Sequence, residues 1–563
     1  MPHYHPASAP AVAATVAPAT DSRTDTVFAW ALLAAMALAW IATLGTRSLV
    51  SADEGRYATL SLAMLQSGDW ITPRLNGILY FEKPPLQYWG GALAMALFGV
   101  NEFAARLYPG LAGLATVAML GHTASTLWGR RAGLHALLIG GSCTWIALNS
   151  HFLALDAGLC ATLTGVLCAV LLAERPGAGV TAQRRWMLAA WAGMALAVLS
   201  KGLVGILIPG AVLVLVSFWR LDFGIWRRLK WGGGALLLAL IAVPWFVLVS
   251  QRNPGFAEFF FIHEHVQRFL TPVARREGAW WYFLPFLAVG LLPWTGALPW
   301  LLRPRRSDFA GSLLWLWALF VLLFFSVSSS KLPSYILPMF PALALLAARE
   351  LALVRPERAT LLRWHLVLPA GVAIAGLALL SQGARLHSAE VPAAAVDGLL
   401  RGVAFGAALL LAGVVAAWWL LGRRRITAAL ALLAAAHLGA TLAVLQSHDA
   451  YGQLKSADAL ARALLPQIGP ATPVFAVRDY DQTLPFYLHR NAVLVDYRDE
   501  FDFGLTREPQ LGIATLAAFA ARWQAEPRAA AYMKRETLAE SAALGIQGRV
   551  VYTDARRTVI VKP

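Results

Sequence analysis

The stretch SADEGRYATLSLAMLQSGDWITPRLNGILYFEKPPLQYW occupies Ser51–Trp89. It directly follows an apolar run at 27–46 that is long enough to cross a bilayer. The stretch is rich in aromatic residues and carries the charged residues Asp53, Glu54, Arg56, Asp69, Arg74, Glu82 and Lys83. Charged groups beside a membrane span are costly and usually functional, so this loop is the first candidate for a functional site.

The composition excludes a single soluble domain. Of the 563 residues, 58% are hydrophobic and only 14% are charged, and the mean hydropathy is +0.59. Repeated apolar runs of about 20 residues indicate a polytopic helical membrane protein, because every backbone polar group must be satisfied inside lipid. The net charge of +16 is concentrated in short loops between these runs, as the positive-inside rule predicts, so we expect no nucleic-acid partner.

The basic loops set the topology. Apolar runs lie at 27–46, 86–100, 106–128, 132–150, 156–173, 186–200, 202–218, 231–250, 280–302, 309–326, 333–353, 364–382, 397–421 and 426–446. The run at 86–100 is short and begins after Pro84-Pro85, so we expect it to lie in the interface. All the Arg/Lys clusters then fall on one side, which predicts about thirteen spans with a cytoplasmic N-terminus and an external C-terminus.

Three regions follow from this topology. Residues 1–26 are rich in Ala, Pro and Ser and are predicted to form a disordered cytoplasmic tail. Residues 27–446 are predicted to form the membrane domain, with outer loops at 47–103 and 251–279. Residues 447–563 contain strand-like runs at 473–477, 492–496, 549–553 and 558–561 with helical patterns between them, which predicts a soluble α/β domain on the outside. The cysteines Cys143, Cys160 and Cys168 all lie in apolar runs, so we expect no disulfide.

The first outer loop opens with Ser51-Ala52-Asp53-Glu54, which has the spacing of a capping box, and Gly68 is the expected helix stop. In that interpretation Glu54 holds the start of the helix. Asp53 is not needed there, and it is free to orient or deprotonate an acceptor or to bind a cationic group. Arg56 and Tyr57 follow one helical turn later.

The remaining outer segments add cations, carboxylates and aromatics. In YFEKPP, Tyr80 to Pro85, two prolines stiffen the backbone and Lys83 is a candidate phosphate ligand. Asp156 and Lys201 stand at the ends of apolar runs, where helix capping and snorkelling are the structural alternatives. Lys331 and Tyr335 end another span.

The second dense cluster is FFFIHEHVQRF, Phe259 to Phe269. His263 and His265 are two residues apart and would not share a helix face, which weakens a two-histidine metal site. His263 with Glu82 from the first loop still has the chemistry to hold a divalent ion. Arg268 beside aromatic residues is suited to anions.

The outer face therefore combines cations suited to a lipid phosphate with carboxylates suited to sugar hydroxyls or an amine. The sequence contains no Walker loop and no dinucleotide-binding glycine fingerprint, so no nucleotide is expected. A lipid-linked activated donor that enters from the bilayer fits this combination better.

The D-E-x-R-Y motif after the first span, the S-G-D-W block at Ser67–Trp70, Y-F-E-K-P-P and E-H-V-Q-R-F resemble the polyprenyl-phosphate-dependent membrane glycosyltransferases of the GT-C fold. Within that group the chain is most similar to the aminoarabinose lipid A transferases, which are related to protein O-mannosyltransferases. This resemblance implies transfer of 4-amino-4-deoxy-L-arabinose from undecaprenyl phosphate to a lipid A phosphate at the periplasmic face of the inner membrane. That modification gives resistance to polymyxin and cationic peptides.

The resemblance also implies roles for individual residues. Asp53 would be the key carboxylate, with Asp156 and Lys201 in the same cavity, and these three form the predicted catalytic set. The predicted carrier-phosphate set takes Lys83, Arg268 and Tyr335 from the resemblance and adds Arg56, Tyr57, Tyr80 and Lys331. Glu82 and His263 would hold a divalent metal, with zinc the first candidate. The oligomeric state is left open, with a monomer expected.

Two alternatives remain open at this point. The first is a related enzyme that transfers another sugar, such as galactosamine or mannose, to lipid A, a glycan or a protein. The second is a transporter of lipid-linked sugars, which would place charge at mid-bilayer on broken helices and often shows repeated halves. The charges here lie at the outer ends of spans, which favours an interfacial enzyme.

Overall fold

The computed structural model describes residues 22–267, 278–386 and 391–562. Most of the predicted disordered tail, residues 1–21, lies outside the described residues. The first helix begins at Arg23, four residues before residue 27, where the membrane domain was predicted to begin. Ser22 caps this helix by accepting a hydrogen bond from the backbone N–H of Asp25.

The membrane domain is a bundle of long apolar helices. Within the described ranges, nine are long and apolar enough to cross a membrane, and two bent pairs raise this number to eleven. The nine are Arg23–Ala42, Glu102–Trp128, Leu155–Ala173, Trp231–Arg252, Phe309–Val327, Pro333–Ala352, Pro356–Gln382, Ala393–Gly422 and Ile426–Lys455. The bent pairs are Arg130–Ser142 with Thr144–His151, at 54°, and Phe283–Gly290 with Thr295–Leu301, at 112°.

Two further helices, Val180–Lys201 and Val204–Arg220, coincide with the predicted runs at 186–200 and 202–218. Each of the thirteen predicted runs therefore coincides with a helix or a bent pair. The run at 86–100 forms the 13-residue helix Leu86–Phe98, which at about 1.5 Å per residue is too short to span hydrocarbon. The predicted polytopic helical fold class is confirmed.

The first outer loop folds into a helix, Asp53–Ser67, and a small hairpin of β1 (Arg74–Leu75) and β2 (Ile78–Leu79). Gly68 ends the helix with φ +70°, as predicted. The predicted capping box is wrong. The N-cap position is Ala52, whose methyl side chain cannot cap the helix. The hydroxyl of Ser51 donates to Asp481 instead, at 2.6 Å.

Glu54, the other half of the predicted box, is buried. It forms a two-pronged ion pair with the fully buried Arg106, at 2.6 and 2.8 Å. It also accepts hydrogen bonds from the backbone N–H groups of Val50 and Leu153. Burial by itself raises the pKa of Glu54. The charge and hydrogen bonds of Arg106, the charge of Arg47 and the N–H of Leu153 together outweigh it and leave the pKa below its ordinary value. Glu54 thus joins the outer loop to the membrane helix Glu102–Trp128 and to the connector that holds Leu153.

The last long helix of the membrane domain is α-helical over Ile426–Ser447. The chain after it forms a six-stranded sheet with the strand order β5-β4-β3-β6-β8-β7. Its strands are β3 (Val474–Val477), β4 (Val493–Val495), β5 (Gly512–Ile513), β6 (Ala529–Met533), β7 (Arg549–Thr553) and β8 (Thr558–Lys562). Strands β5, β4, β3 and β6 pair in parallel, and β8 pairs antiparallel with both β6 and β7. The longer helices beside it are Asp458–Leu464, Leu484–Leu488, Asp502–Arg507, Leu516–Ala525 and Arg535–Ala543.

This α/β domain packs directly on the outer helix Asp53–Ser67. The closest approach is at Gly55, where a Cβ atom would lie 2.4 Å from the backbone nitrogen of Thr483. Thr59 donates to the carbonyl of Gln482 at 3.0 Å, and the Asn76 side chain exchanges two hydrogen bonds with the backbone of Ala492. One apolar core runs across this contact, so the domain is held close to the outer loops.

Candidate active site

A cavity of about 420 Å³ lies between the outer loops and the α/β domain. It is lined by Asp53, Arg56, Tyr57, Glu82, Lys83, Ala154, Leu155, Asp156, Lys201, His263, Glu264, Leu332, Tyr335, Asp499 and Glu500. Within the described residues, the lining comes from seven separate stretches of the chain. Of the eleven predicted site residues that the structure describes, nine line this cavity, although they span more than 280 residues of sequence.

The helix Asp53–Ser67 presents Asp53 and Arg56 to the cavity from its first turn. Arg56 donates from Nη1 to Asp53 at 2.7 Å and from Nε to Glu500 at 2.6 Å. Half of the Asp53 side chain is exposed, at 51%, whereas only 14% of Arg56 is. Arg56 therefore fixes one oxygen of Asp53 and leaves the rest of this carboxylate open to a ligand.

Asp156, in the first turn of the helix Leu155–Ala173, forms an ion pair with Lys201, at the end of the helix Val180–Lys201. The Lys201 ammonium also lies 4.6 Å from the ring centre of Tyr335. The pair is mostly buried, since 11% of Asp156 and 17% of Lys201 is exposed. The structural alternatives of simple capping and snorkelling do not account for a buried pair that faces a cavity.

Lys83 donates to Glu264 and to the carbonyl of Glu82, both at 2.7 Å. Glu264 lies on the wide, π-type helical turn Phe259–Gln267. His263 stands next to it, with Nδ1 3.5 Å from Glu264 and its ring stacked on Phe259 at a centroid distance of 5.1 Å. The Lys83 ammonium is thereby held at the cavity wall, where an anionic ligand can compete for it.

The predicted metal pair, Glu82 and His263, lines the same cavity. Within the described parts of the chain, no group of three His, Cys, Asp or Glu side chains has an arrangement that holds a metal ion, and no chemical step below passes through one. Zinc binding stays a prediction. Metal analysis of the purified protein and of Glu82→Gln checks it, because a bound ion held by this pair would be lost in the variant.

Two of the predicted carrier-phosphate residues that the structure describes are not part of the lining. Tyr80 is buried at 2% exposure, and Lys331 is buried with its Nζ donating to the carbonyl of Ser328 at 2.7 Å. Arg268 lies outside the described residues. Their roles stay predictions.

Three charged residues of the described lining were not predicted from the sequence: Glu264, Asp499 and Glu500. Glu264 lies in the segment FFFIHEHVQRF, between His263 and His265. Asp499 and Glu500 come from the α/β domain, between β4 and the helix Asp502–Arg507. Acidic pairs in surface loops are ordinary, so no sequence signal separated this pair from a solvated turn.

The described lining carries six carboxylates and three permanent cations. The carboxylates are Asp53, Glu82, Asp156, Glu264, Asp499 and Glu500. The cations are Arg56, Lys83 and Lys201. Such a mixture suits a ligand with both a phosphate and a positive group. Burial raises the pKa of Glu500, Arg56 opposes this rise, and the neighbouring carboxylate of Glu82 adds to it.

Comparison with known proteins decides the family. Residues 26–260 match the family model for dolichyl-phosphate-mannose-protein mannosyltransferases, and residues 460–562 match the model for the aminoarabinose transferase C-terminal domain. The crystal structure of ArnT from Cupriavidus metallidurans bound to undecaprenyl phosphate superposes with a TM-score of 0.90 at 36% identity, over 96% of this chain and 98% of that one. The chain belongs to the aminoarabinose transferase family.

The apo form of the same transferase superposes with a TM-score of 0.89 at 36% identity and the same coverage. The undecaprenyl phosphate-alpha-4-amino-4-deoxy-L-arabinose arabinosyl transferase of Pseudomonas paraeruginosa is 37% identical over 361 residues. That alignment spans 62% of this chain and 64% of the relative, which is less than two thirds of its length. Both domains seen here are thus part of the architecture of the aminoarabinose transferase family, and the chain is a multi-pass membrane protein.

Proposed function

We propose that this protein transfers 4-amino-4-deoxy-L-arabinose from undecaprenyl phosphate to a lipid A phosphate. The observation that carries the proposal is the cavity that joins Asp53, Lys83, Asp156 and Lys201 from separate segments, in a chain that superposes over nearly its whole length on a transferase whose structure holds undecaprenyl phosphate. A pentosamine masks negative charge on lipid A, so the product of the reaction would give resistance to polymyxin and cationic peptides.

The chemistry matches the charges in the cavity. In the transfer, the bond between the anomeric carbon and the carrier phosphate oxygen breaks, and that oxygen keeps the electron pair. A lipid A phosphate oxygen forms the new bond to the anomeric carbon. Lys83 and Lys201 are positioned to stabilise the charge that develops on the leaving phosphate. Because the acceptor phosphate is already ionised, no strong general base is needed.

Asp53 takes a different role in this reaction from that in a protein O-glycosylation. It orients the acceptor or contacts the ammonium group of the sugar through the oxygen that Arg56 leaves open. With a hydroxyl acceptor it would have to remove a proton. The surplus of carboxylates in the lining supports a sugar that carries a positive charge.

The protein is further proposed to lie in the bacterial inner membrane with the cavity and the α/β domain facing the periplasm. The basic loops support this orientation, because they fall on the side away from the cavity when the helix Leu86–Phe98 does not cross. Alkaline phosphatase folds only outside the cytoplasm, so fusing it after residue 562 tests the orientation. We expect an active fusion, and an inactive one made in normal amounts would reverse the topology.

Mass spectrometry of lipid A tests the reaction. The host is a bacterium that lacks its own transferase but still makes the aminoarabinose donor, complemented with the parent chain, Asp53→Asn or Asp502→Asn. Asp502 is exposed and pairs with Arg498 away from the cavity, so this variant is the matched control. We expect a pentosamine mass gain with the parent and the control and none with Asp53→Asn. No gain with a well-expressed parent would contradict the proposed sugar or acceptor.

A further inference from the structure

A second cavity, of about 830 Å³, lies at the opposite end of the membrane domain. The segment Pro333–Ala352 joins the two ends. Tyr335, near its start, lines the first cavity, and Glu350, near its end, lines the second. At a rise of 1.5 to 2 Å per residue, these positions are roughly 25 Å apart along the helix axis. The second cavity is therefore a separate feature from the proposed active site.

The second cavity is strongly basic. Its lining includes Arg303, Arg305, Arg355 and Arg358 against the carboxylates Glu350 and Glu357. Glu350 is occupied by Arg305, at 2.6 Å. Within the described part of the chain, the side chains of the other three arginines make no hydrogen bond or ion pair. Three guanidinium groups thus face one remaining carboxylate, and guanidinium groups match the geometry of phosphate oxygens.

The same cavity has an apolar side. Leu353 and Leu361 line it and are 71% and 61% exposed. Trp300 and Leu362 line both this cavity and a smaller apolar one, whose lining also includes Leu433 of the helix Ile426–Ser447. A ligand that matches both sides has an anionic head and a hydrocarbon tail.

We propose that this cavity binds an anionic phospholipid of the leaflet opposite the active site. The headgroup phosphate would lie between Arg303, Arg355 and Arg358, and an acyl chain would lie against Leu353 and Leu361. Basic pockets between membrane helices bind such headgroups in general. The proposal does not depend on the sugar that is transferred, because it concerns the other end of the bundle.

Native mass spectrometry of the whole protein tests this site. The protein is released from nanodiscs of phosphatidylcholine that contain a minority of phosphatidylglycerol, and the bound phosphatidylglycerol is counted. The test variant replaces Arg303, Arg355 and Arg358 with Gln. The control replaces Arg130, Arg227 and Arg424 with Gln, three exposed arginines that do not line the cavity. Both variants lose the same charge.

We expect the test variant to retain on the order of tenfold less phosphatidylglycerol than the parent, while the control retains nearly as much as the parent. Equal loss in both variants would overturn the proposal, because it would show a general attraction to a basic surface. A third variant with Lys at the three test positions keeps the charge and guards against misfolding. It should recover most of the retained lipid, and failure to recover any in a well-folded protein would also count against the site.

Discussion

Glu500 accepts a hydrogen bond from Nε of Arg56 at 2.6 Å, although 444 residues separate them along the chain. Arg56 in turn binds Asp53 at 2.7 Å, and Gln482 donates to the second oxygen of Glu500, also at 2.7 Å. The α/β domain therefore contributes directly to the position of the carboxylate proposed to act on the substrate. A domain that only covered the outer loops would not need this contact.

Replacing Glu500 with Gln should lower kcat/KM for sugar transfer by about 10- to 100-fold. Hydrogen bonds to charged groups contribute about 1.5–3 kcal/mol, and without the charge of Glu500 the guanidinium of Arg56 would hold Asp53 less firmly in place. The measurement is transfer by purified protein with a synthetic donor and lipid A. Glu540→Gln is the control, since Glu540 pairs with the exposed Arg478, and it should keep near-parental activity. Equal activity of Glu500→Gln and the control would remove Glu500 from the site.

The same residue predicts a pH effect of defined sign. Because burial raises the pKa of Glu500 above its ordinary value near 4.5, this carboxyl gains a proton at a higher pH than a solvated glutamate. Protonation weakens its hold on Arg56, so activity should fall on the acidic side at a pH above 4.5. In Glu500→Gln this acid limb should be absent. An unchanged limb in the variant would assign it to another group.

The folding stability of the protein should depend on pH in the opposite direction from its activity. Between its ordinary pKa and the raised value, the folded state binds the Glu500 proton more tightly than the unfolded state does, so stability falls as pH rises through this window. Glu500→Gln removes that cost and should be at least as heat-stable as the parent at neutral pH while it transfers less sugar. Thermal unfolding of the two proteins in one detergent checks this. A less stable variant would mean that Glu500 is mainly a structural contact.

The sequence predicts the helix bundle well, because apolar runs indicate which segments cross the lipid and basic loops indicate their orientation. It predicts much of the cavity because charges such as Asp53, Lys83, Asp156 and Lys201 are costly beside a membrane and are usually functional there. It fails where long-range pairing decides. Ser51 and Glu54 have the spacing of a local cap, yet their partners are Asp481 and Arg106, far away in sequence.

The unpredicted strand of the α/β domain has the same kind of cause. Strand β6 (Ala529–Met533) was not predicted, because its sequence AAAYM favours helix by intrinsic propensity. It forms a fully buried central strand between β3 and β8, where small side chains fit a sheet packed on both faces. Burial outweighs propensity there, and only the three-dimensional neighbours reveal it.

Adjacent carboxylates of the first outer helix should behave oppositely. Glu54→Gln leaves Arg106 buried without its ionic partner, which typically costs about 3–5 kcal/mol. We expect little folded protein by size-exclusion chromatography. Asp53→Asn, one residue earlier and half exposed, should fold normally and lose transfer. Normal accumulation of Glu54→Gln would show that the pair is not needed for the fold.

The approach of the two domains can be tested at Gly55. A Cβ atom there would lie 2.4 Å from the backbone nitrogen of Thr483 and 2.5 Å from the carbonyl carbon of Gln482. Backbone cannot move aside as a flexible side chain does, so Gly55→Ala should push the α/β domain away from the outer helix and with it Glu500 from Arg56. Both heat stability and sugar transfer should fall.

Gly210→Ala is the matched control for this change. Gly210 also lies within a helix, Val204–Arg220, but a Cβ atom there meets no atom within 4 Å. Alanine favours helix over glycine by about 1 kcal/mol, so this variant should be as stable as the parent or slightly more so. If Gly55→Ala matched it in both stability and transfer, the close contact of the domains at this helix would not govern the site, and the coupling of Glu500 to Asp53 would have to act without it.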